Sequence, residues 1–200
     1  MMKEFNVLLT GVGGQGVILM SELLGRAAIK EGLKVRGSEI LGMAVRGGPV
    51  TSIIRLGSEV FGPLIPKGKC DVLVGMEPAE ALRNVVYLSK SSWIIVNTRK
   101  IVPYTVTLGQ SRYPELAEIL GKLEQAANKV ISLNASQLAE EVGSPISANI
   151  VMLGALFGLE QIPIKLETMR GIIQDYFPSK TASVNLKAFE SGYQACLLAK

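Results

Sequence analysis

Two glycine-dense turns hold most of the residues in this chain whose types and spacing could do chemistry. The first, Gly11-Val12-Gly13-Gly14-Gln15-Gly16, follows the apolar run Val7-Leu8-Leu9 and leads straight into an amphipathic stretch. A strand, a glycine turn and a helix in that order present backbone N–H groups at a helix N-terminus, where a phosphate or carboxylate is favoured. Gly11, Gly13 and Gly16 fit the dinucleotide fingerprint, and Glu39, twenty-three residues after Gly16, could supply the ribose-binding acid of such a site. Gln15 adds an amide that can both donate and accept at the helix mouth. The same glycines also occur wherever a helix packs closely on a strand. A nicotinamide or flavin, another phosphate-bearing or acyl-carrier ligand, and a packing or interface role therefore all remain open.

The second turn is Arg46-Gly47-Gly48. Two glycines let backbone approach a ligand or another chain, and the guanidinium offers a fixed fork for a phosphate or carboxylate. Arg55 follows in the next β-rich run and could support the same patch. Three further groups are weaker candidates. Glu77, Glu80 and Arg83 share a helix face and suit an ion-pair network. Asn97-Thr98-Arg99-Lys100 closes a strand, where it can cap that strand or meet an anion. Asn149 sits in an apolar helix and, if buried, must be hydrogen-bonded within the domain or across an interface.

The elements that must position these residues can be read from periodicity. Strands are expected near 5–10, 35–39, 72–75, 93–97 and 130–133, and the first two with the helix between them form a β-α-β unit. Val50–Leu56 is a β-rich run, and Val60–Ile65, bounded by Pro63 and Pro66, is expected to return as an edge strand, giving an antiparallel pair near 50–65. Helices are expected over Gly14–Glu31, from Glu77 to Arg83, from Tyr113 to about Asn128, over Gln137–Glu141, from a cap at Ser147 through Phe157, over Lys165–Tyr176 and over Lys180–Leu198, the last lying across the domain or against a partner. With no repeat or linker, residues 1–200 read as one α/β domain. Its expected form is a three-layer Rossmann-like arrangement with a mostly parallel sheet and an antiparallel extension. The two glycine turns should then meet in one surface at the C-terminal edge of the sheet.

Composition narrows the function. The chain has 200 residues, 48% apolar and 19% charged, against about 25% charged in an ordinary domain. So few charges suggest a surface covered by another chain. Net charge is +6 over residues 1–112 and −2 over 113–200, which fits an anionic ligand or acidic partner on the half that carries the glycine turns. Aromatic residues make up 6%, with no basic stripe among exposed rings, which argues against nucleic acid. There is no histidine, and Cys70 and Cys196 form no CxxC. This chain alone therefore cannot ligate a cysteine-held iron–sulfur cluster, and no metal site or catalytic residue is assigned. No secretory signal is visible, and the longest apolar run, Ile150–Leu159, is ten residues, too short for a membrane span. A cytoplasmic protein is expected.

Taken together, Gly11-Val-Gly-Gly-Gln-Gly16, Arg46-Gly-Gly48, Asp71-Val-Leu-Val74 and Met152-Leu-Gly-Ala155 resemble the gamma-type subunit of 2-oxoacid:ferredoxin oxidoreductases over nearly the whole chain. Glu77-Pro78-x-Glu80-Ala81-Leu82-Arg83, Asn97-Thr98 with Pro103, Tyr113-Pro114 and Asn185-x-x-Ala188-Phe189-x-x-Gly192-Tyr193 resemble the small, beta subunit of the indolepyruvate branch. The segment Glu39–Val45 departs from that branch, where a histidine and a glutamine are common. The resemblance implies a subunit, inactive alone, of a complex that oxidatively decarboxylates a 2-oxoacid such as indolepyruvate or another aryl pyruvate. Coenzyme A would accept the acyl group at or near the subunit interface and ferredoxin the electrons, while partner subunits carry thiamine diphosphate and the iron–sulfur clusters. Gly11, Gly13, Gly14, Gln15, Gly16, Arg46, Gly47 and Gly48 would then be the cofactor-facing residues, and the isolated chain could form a homodimer. The alternatives are a pyruvate or 2-oxoglutarate gamma subunit, a stand-alone NAD- or flavin-binding oxidoreductase, and a purely structural scaffold subunit.

Overall fold

The computed structural model describes residues 3–44 and 46–200; Val45, in the second glycine-rich segment, lies outside the described residues. Six strands form one sheet: β1 (Phe5–Val12), β2 (Val35–Leu41), β3 (Pro49–Leu56), β4 (Val72–Gly75), β5 (Trp93–Asn97) and β6 (Lys129–Leu133). Their order is β2-β3-β1-β4-β5-β6. β1, β4, β5 and β6 pair in parallel, whereas β3 runs antiparallel to both β1 and β2. The helices are α1 (Val17–Lys30), α2 (Pro78–Arg83), α3 (Tyr104–Thr107), α4 (Leu116–Ala126), α5 (Ala135–Glu141), α6 (Ala148–Gly158), α7 (Leu166–Tyr176) and α8 (Ser179–Ala199).

The sheet separates two cores, as strand alternation requires. Val7, Leu9, Val74 and Ile95 point toward the layer built from α1 and α5–α8. Leu8, Ile53, Leu73 and Ile94 point the other way, toward α2 and α4. The expected three-layer arrangement is therefore present. On the thicker side, ten of the eleven residues of α6 are buried, so its apolar run is interior to the chain. α8 lies across α6, and the two backbones meet at Gly154 and Gly192: a Cβ on Gly154 would strike Phe189 O, and one on Gly192 would strike Val151 O. The first of the two positions expected for the last helix, across the domain, is the one observed. Ser147 precedes α6 but makes no side-chain capping bond to it; its hydroxyl is turned to Asn185, donating to Oδ1 at 2.8 Å.

Four expectations are corrected, three of them in the first seventy residues. β2 does not lie beside β1, since β3 is inserted between them. Burial explains the order: residues 50–56 of β3 are all buried, as a central strand demands, whereas β2 is mostly exposed, as an edge permits. Val60–Ile65 is not a strand. The antiparallel partner of β3 is β2, and the 57–70 segment is held by Arg55, which donates to Gly62 O and to Leu64 O at 2.9 Å each. Arg55 also donates to Asn6 Oδ1 at 2.8 Å and pairs with Glu4 at 2.8 Å. A buried guanidinium thus takes over the carbonyls that a ladder would have used. It sits at the end of the sheet where β1 begins, opposite the glycine turns, and so cannot support the Arg46 patch. Finally, the helix expected from Tyr113 begins at Leu116, because Tyr113 is held back on Glu77.

Candidate functional site

β1, β2, β4, β5 and β6 all run the same way, so the loops after them gather at one edge of the sheet. The first glycine turn follows β1 there, and the Gly42–Gly48 turn joins β2 to β3 beside it. Gly13 N donates to Gly48 O at 2.8 Å, and Gly47 N donates to Gly13 O at 3.2 Å. These two backbone bonds join the turns into one surface. A Cβ on Gly48 would come within 2.8 Å of Ala44 O, so only glycine admits this approach.

The residues of the first turn divide by task. Gly14 (φ 99°) is exposed, and an added Cβ there would meet nothing within 4 Å. Gly16 (φ 74°) closes the turn in left-handed backbone, and an added Cβ would collide with the Asn149 amide. Asn149 is buried and partnered within the chain: its Nδ2 donates to Gly16 O at 3.4 Å, and its Oδ1 accepts from Ile150 N at 3.0 Å. Gly11 is a packing glycine, because a Cβ there would lie 2.6 Å from Gln15 Oε1 and 2.8 Å from Met76 Cβ. The Gln15 amide braces the turn. Its Oε1 accepts from Val12 N at 2.8 Å and its Nε2 donates to Met76 O at 3.0 Å, tying the loop to the end of β4. Gln15 thus holds shape and Gly14 presents exposed backbone, while the N–H groups of Gly13 and Gly47 are used in joining the two turns.

Two clefts flank the loop. One of about 540 Å³ opens between the start of α1 and the Gly42–Gly48 turn, with Val12, Val17, Ile18, Leu41 and Met43 among its lining residues. Ile18, Leu41 and Met43 are exposed apolar side chains, and Arg46, also exposed, stands on the same turn. The sequence reading took the glycines here and missed these apolar residues; their signal was bulky side chains immediately beside a glycine turn. The other cleft, about 430 Å³, is mixed in character, with Asn97, Arg99, Lys100 and Ser136 alongside Met76, Ile101 and Ile146 on its walls.

Around the second cleft most polar groups are engaged with the protein. Asn97 caps its strand, accepting from Ala135 N at 3.1 Å and donating to Met76 O and Ser136 Oγ at 3.3 Å each. Arg99 pairs with Glu140 at 3.6 Å and Lys100 with Glu115 at 3.4 Å, both at the surface. The Glu77, Glu80, Arg83 network forms only in part. Arg83 reaches Glu80 at 3.2 Å, but Glu77 is turned inward, where it accepts from Glu80 N at 3.0 Å, Ile101 N at 3.3 Å and the Tyr113 hydroxyl. Burial, followed by the bond to Glu77, pushes the Tyr113 hydroxyl pKa upward. Burial also raises the Glu80 carboxyl, against the opposing pull of Arg83. Burial pushes the Cys70 thiol up to about 12 and the Cys196 thiol up to about 11, so neither is a ready nucleophile.

The inserted β3 also bears on the dinucleotide reading. It places Glu39 one strand, roughly 4.8 Å, farther from the β1 turn than a neighbouring second strand would. Among the described residues, no group of three or more histidine, cysteine, aspartate or glutamate side chains could hold a metal ion, and no helix is long and apolar enough to cross a membrane.

Known proteins are similar to this chain in sequence and in fold. The family pattern of pyruvate ferredoxin/flavodoxin oxidoreductases matches residues 6–195. A curated relative, indolepyruvate oxidoreductase subunit IorB of Archaeoglobus fulgidus, is 44% identical over 97% of this chain and 96% of its own. Among solved structures, the gamma subunit of a keto/oxoacid ferredoxin oxidoreductase from Geobacter sulfurreducens is 25% identical, with a TM-score of 0.71 over 98% of this chain and 99% of its own. The 2-oxoglutarate:ferredoxin oxidoreductase of Magnetococcus marinus, solved with 2-oxoglutarate, coenzyme A and succinyl-CoA bound, is 22% identical and shares the fold, with a TM-score of 0.76 over all of this chain and 32% of that one. The chain belongs to the pyruvate ferredoxin/flavodoxin oxidoreductase family, as a gamma-type subunit of a 2-oxoacid:ferredoxin oxidoreductase.

Proposed function

We propose that the chain, acting as a single gamma-type domain, presents the joined glycine turns to a large subunit that carries thiamine diphosphate and iron–sulfur clusters, and helps to receive coenzyme A at that junction. The observation that carries this reading is the pair of backbone bonds joining Gly13 to Gly47 and Gly48. It leaves Gly14 exposed, with the apolar cleft lined by Val17, Ile18, Leu41 and Met43 beside it and exposed Arg46 on the same turn as Met43. The exposed Gly14 backbone at the mouth of α1 and a guanidinium fork suit phosphates, and an apolar cleft suits an acyl-carrying thiol arm. Gly11, Gln15, Gly16 and the buried Gly48 hold the shape of that surface; Gly13, Gly14, Arg46 and Gly47 face the ligand or the partner. No cluster of metal-ligating side chains is present among the described residues, and the bound cofactors of the partner would supply the decarboxylation and electron chemistry.

For the 2-oxoacid we propose indolepyruvate or another aryl pyruvate, on the 44% identity to the Archaeoglobus fulgidus subunit. Pyruvate or 2-oxoglutarate is the second reading, because the sequence of Glu39–Val45 departs from the indolepyruvate pattern. Co-expression with the large subunit, followed by turnover assays with each 2-oxoacid, coenzyme A and ferredoxin, tests the whole proposal. Turnover is expected from the complex and none from the isolated chain. In the complex, Arg46→Ala should raise the apparent KM for coenzyme A about tenfold, the scale of one lost charge-assisted hydrogen bond, or weaken assembly comparably, without unfolding the chain. Unchanged kinetics and unchanged complex affinity would reduce Arg46 to an ornament of its turn.

A further inference from the structure

The sheet ends in an open edge. β2 is its terminal strand, seven residues long, with no proline, and Arg36, Gly37, Glu39, Ile40 and Leu41 are exposed. The hydrogen bonds at its two ends fix which backbone groups face outward. Gly57 N donates to Lys34 O at 3.1 Å, and Gly42 N donates to Pro49 O at 2.8 Å. In an antiparallel ladder alternate residues bond to the same neighbour, so the even-numbered residues of β2 face β3. Val35, Gly37, Glu39 and Leu41 then turn their N–H and C=O groups, eight in all, toward the open side. The exposed guanidinium of Arg36 folds back on Val35 O at 3.0 Å. The other outward groups have no hydrogen-bond partner among the described residues. Such an edge is a template for another strand unless something covers it.

We propose that the occupant is a second copy of this chain, paired antiparallel through β2 about a two-fold axis at Ser38. The strand is complementary to itself in this register and poorly so in its neighbours. With Ser38 opposite Ser38 of the other copy, Gly37 lies opposite Glu39 and Val35 opposite Leu41, so all eight outward groups are exchanged. Moving the axis to Gly37 or to Glu39 leaves one outward-facing residue at an end of each strand without a counterpart in the other. Placing it at Glu39 also sets two carboxylates face to face, which is destabilising. The chosen register instead gives each Glu39 a glycine neighbour and pairs apolar Val35 with apolar Leu41. Arg36 lies opposite Ile40, where its stem can cover an otherwise exposed side chain. One continuous sheet would run through both copies, and the glycine turns, beyond Leu41, would remain outside the paired segment. The proposal does not rest on the coenzyme A reading, although Leu41 belongs both to the paired strand and to the wall of the apolar cleft.

The test uses the full chain. Ser38→Cys should form an intermolecular disulfide under mild oxidation, because facing residues of a non-hydrogen-bonded pair lie about 4.5 Å apart at Cα, within disulfide reach. The native Cys70 and Cys196 are buried and do not compete. Arg36→Cys, which faces Ile40, should not cross-link. Sedimentation equilibrium adds a charge test at Gly37, where a Cβ would make only ordinary contacts of 3.5 Å. Gly37→Glu would place like charges opposite Glu39 twice per dimer and should weaken dimerisation roughly fivefold; Gly37→Lys should tighten it by a similar factor. A chain that stays monomeric through the micromolar range overturns the proposal. So does a dimer whose Ser38→Cys variant fails to cross-link, or one indifferent to both Gly37 substitutions. If those substitutions instead alter capture of the large subunit with no effect on self-association, the edge belongs to that subunit and the self-pairing is wrong.

Discussion

Glycine has opposite roles in two regions of this molecule. At Gly14 and Gly47, in the joined turns, the backbone is left-handed and an added Cβ would meet open space. At Gly154 and Gly192, where α6 crosses α8, an added Cβ would run into the facing helix backbone. The first pair keeps main-chain groups accessible at a surface; the second removes side chains so that two helices can touch. The GxGGQG motif itself contains both kinds, because Gly11 and Gly16 are packed while Gly14 is open. Spacing alone therefore does not separate a ligand-facing glycine from a packing one. The neighbour that each Cβ would meet does.

The largest effect expected from this contrast is at the helix crossing. Gly192→Ala should destabilise the chain by about 3 kcal/mol, as overpacking against backbone that cannot move aside. Thermal unfolding should shift downward by roughly 10 °C. A shift near zero would show that the α6–α8 contact is looser than its geometry. At the motif, Gly16→Ala should cost about 2 kcal/mol by urea denaturation, from left-handed strain together with the clash on Asn149. Gly14→Ala carries the strain without the clash, so it should cost about 1 kcal/mol while still impairing coenzyme A use or assembly in the complex. If Gly14→Ala were as destabilising as Gly16→Ala, the division between open and packed glycines within the motif would fail.

The smallest effect concerns the buried acids behind the turn. Because burial raises the Glu80 pKa, the protonated form is the one the fold favours, and the associated stability is lost as pH rises through the folded-state value. Glu80→Gln should therefore match the parent in acid and gain on it toward neutral pH, measured by denaturation across the carboxylate range. The opposite slope would mean that the Arg83 pair outweighs desolvation.

Much of this was legible in the residues. The strands near 5–10, 72–75, 93–97 and 130–133 were readable because each is a short apolar run closed by polar or glycine residues, and such runs in a parallel sheet need no distant partner to be recognised. The meeting of the two glycine turns at one sheet edge was also expected, and the Gly13–Gly48 and Gly47–Gly13 bonds place them there. The order β2-β3-β1 was not legible, since hairpin and crossover connections can share the same local periodicity. Val60–Ile65 has strand-like residues but no ladder, because the deciding group is the Arg55 fork reaching in from another strand. Gln15 likewise reads as a ligand-facing amide until Val12 and Met76 are brought within bonding distance of it.

The sequence by itself determined the α/β class, the absence of histidine and of a cysteine cluster motif, and the family, because these depend on residue identity and local pattern. Tertiary structure alone decided which glycines are open, that Asn149 serves Gly16 within the chain, and that β2 is left as a free edge. Those properties depend on which distant backbone lies across from a residue, and no local period encodes that.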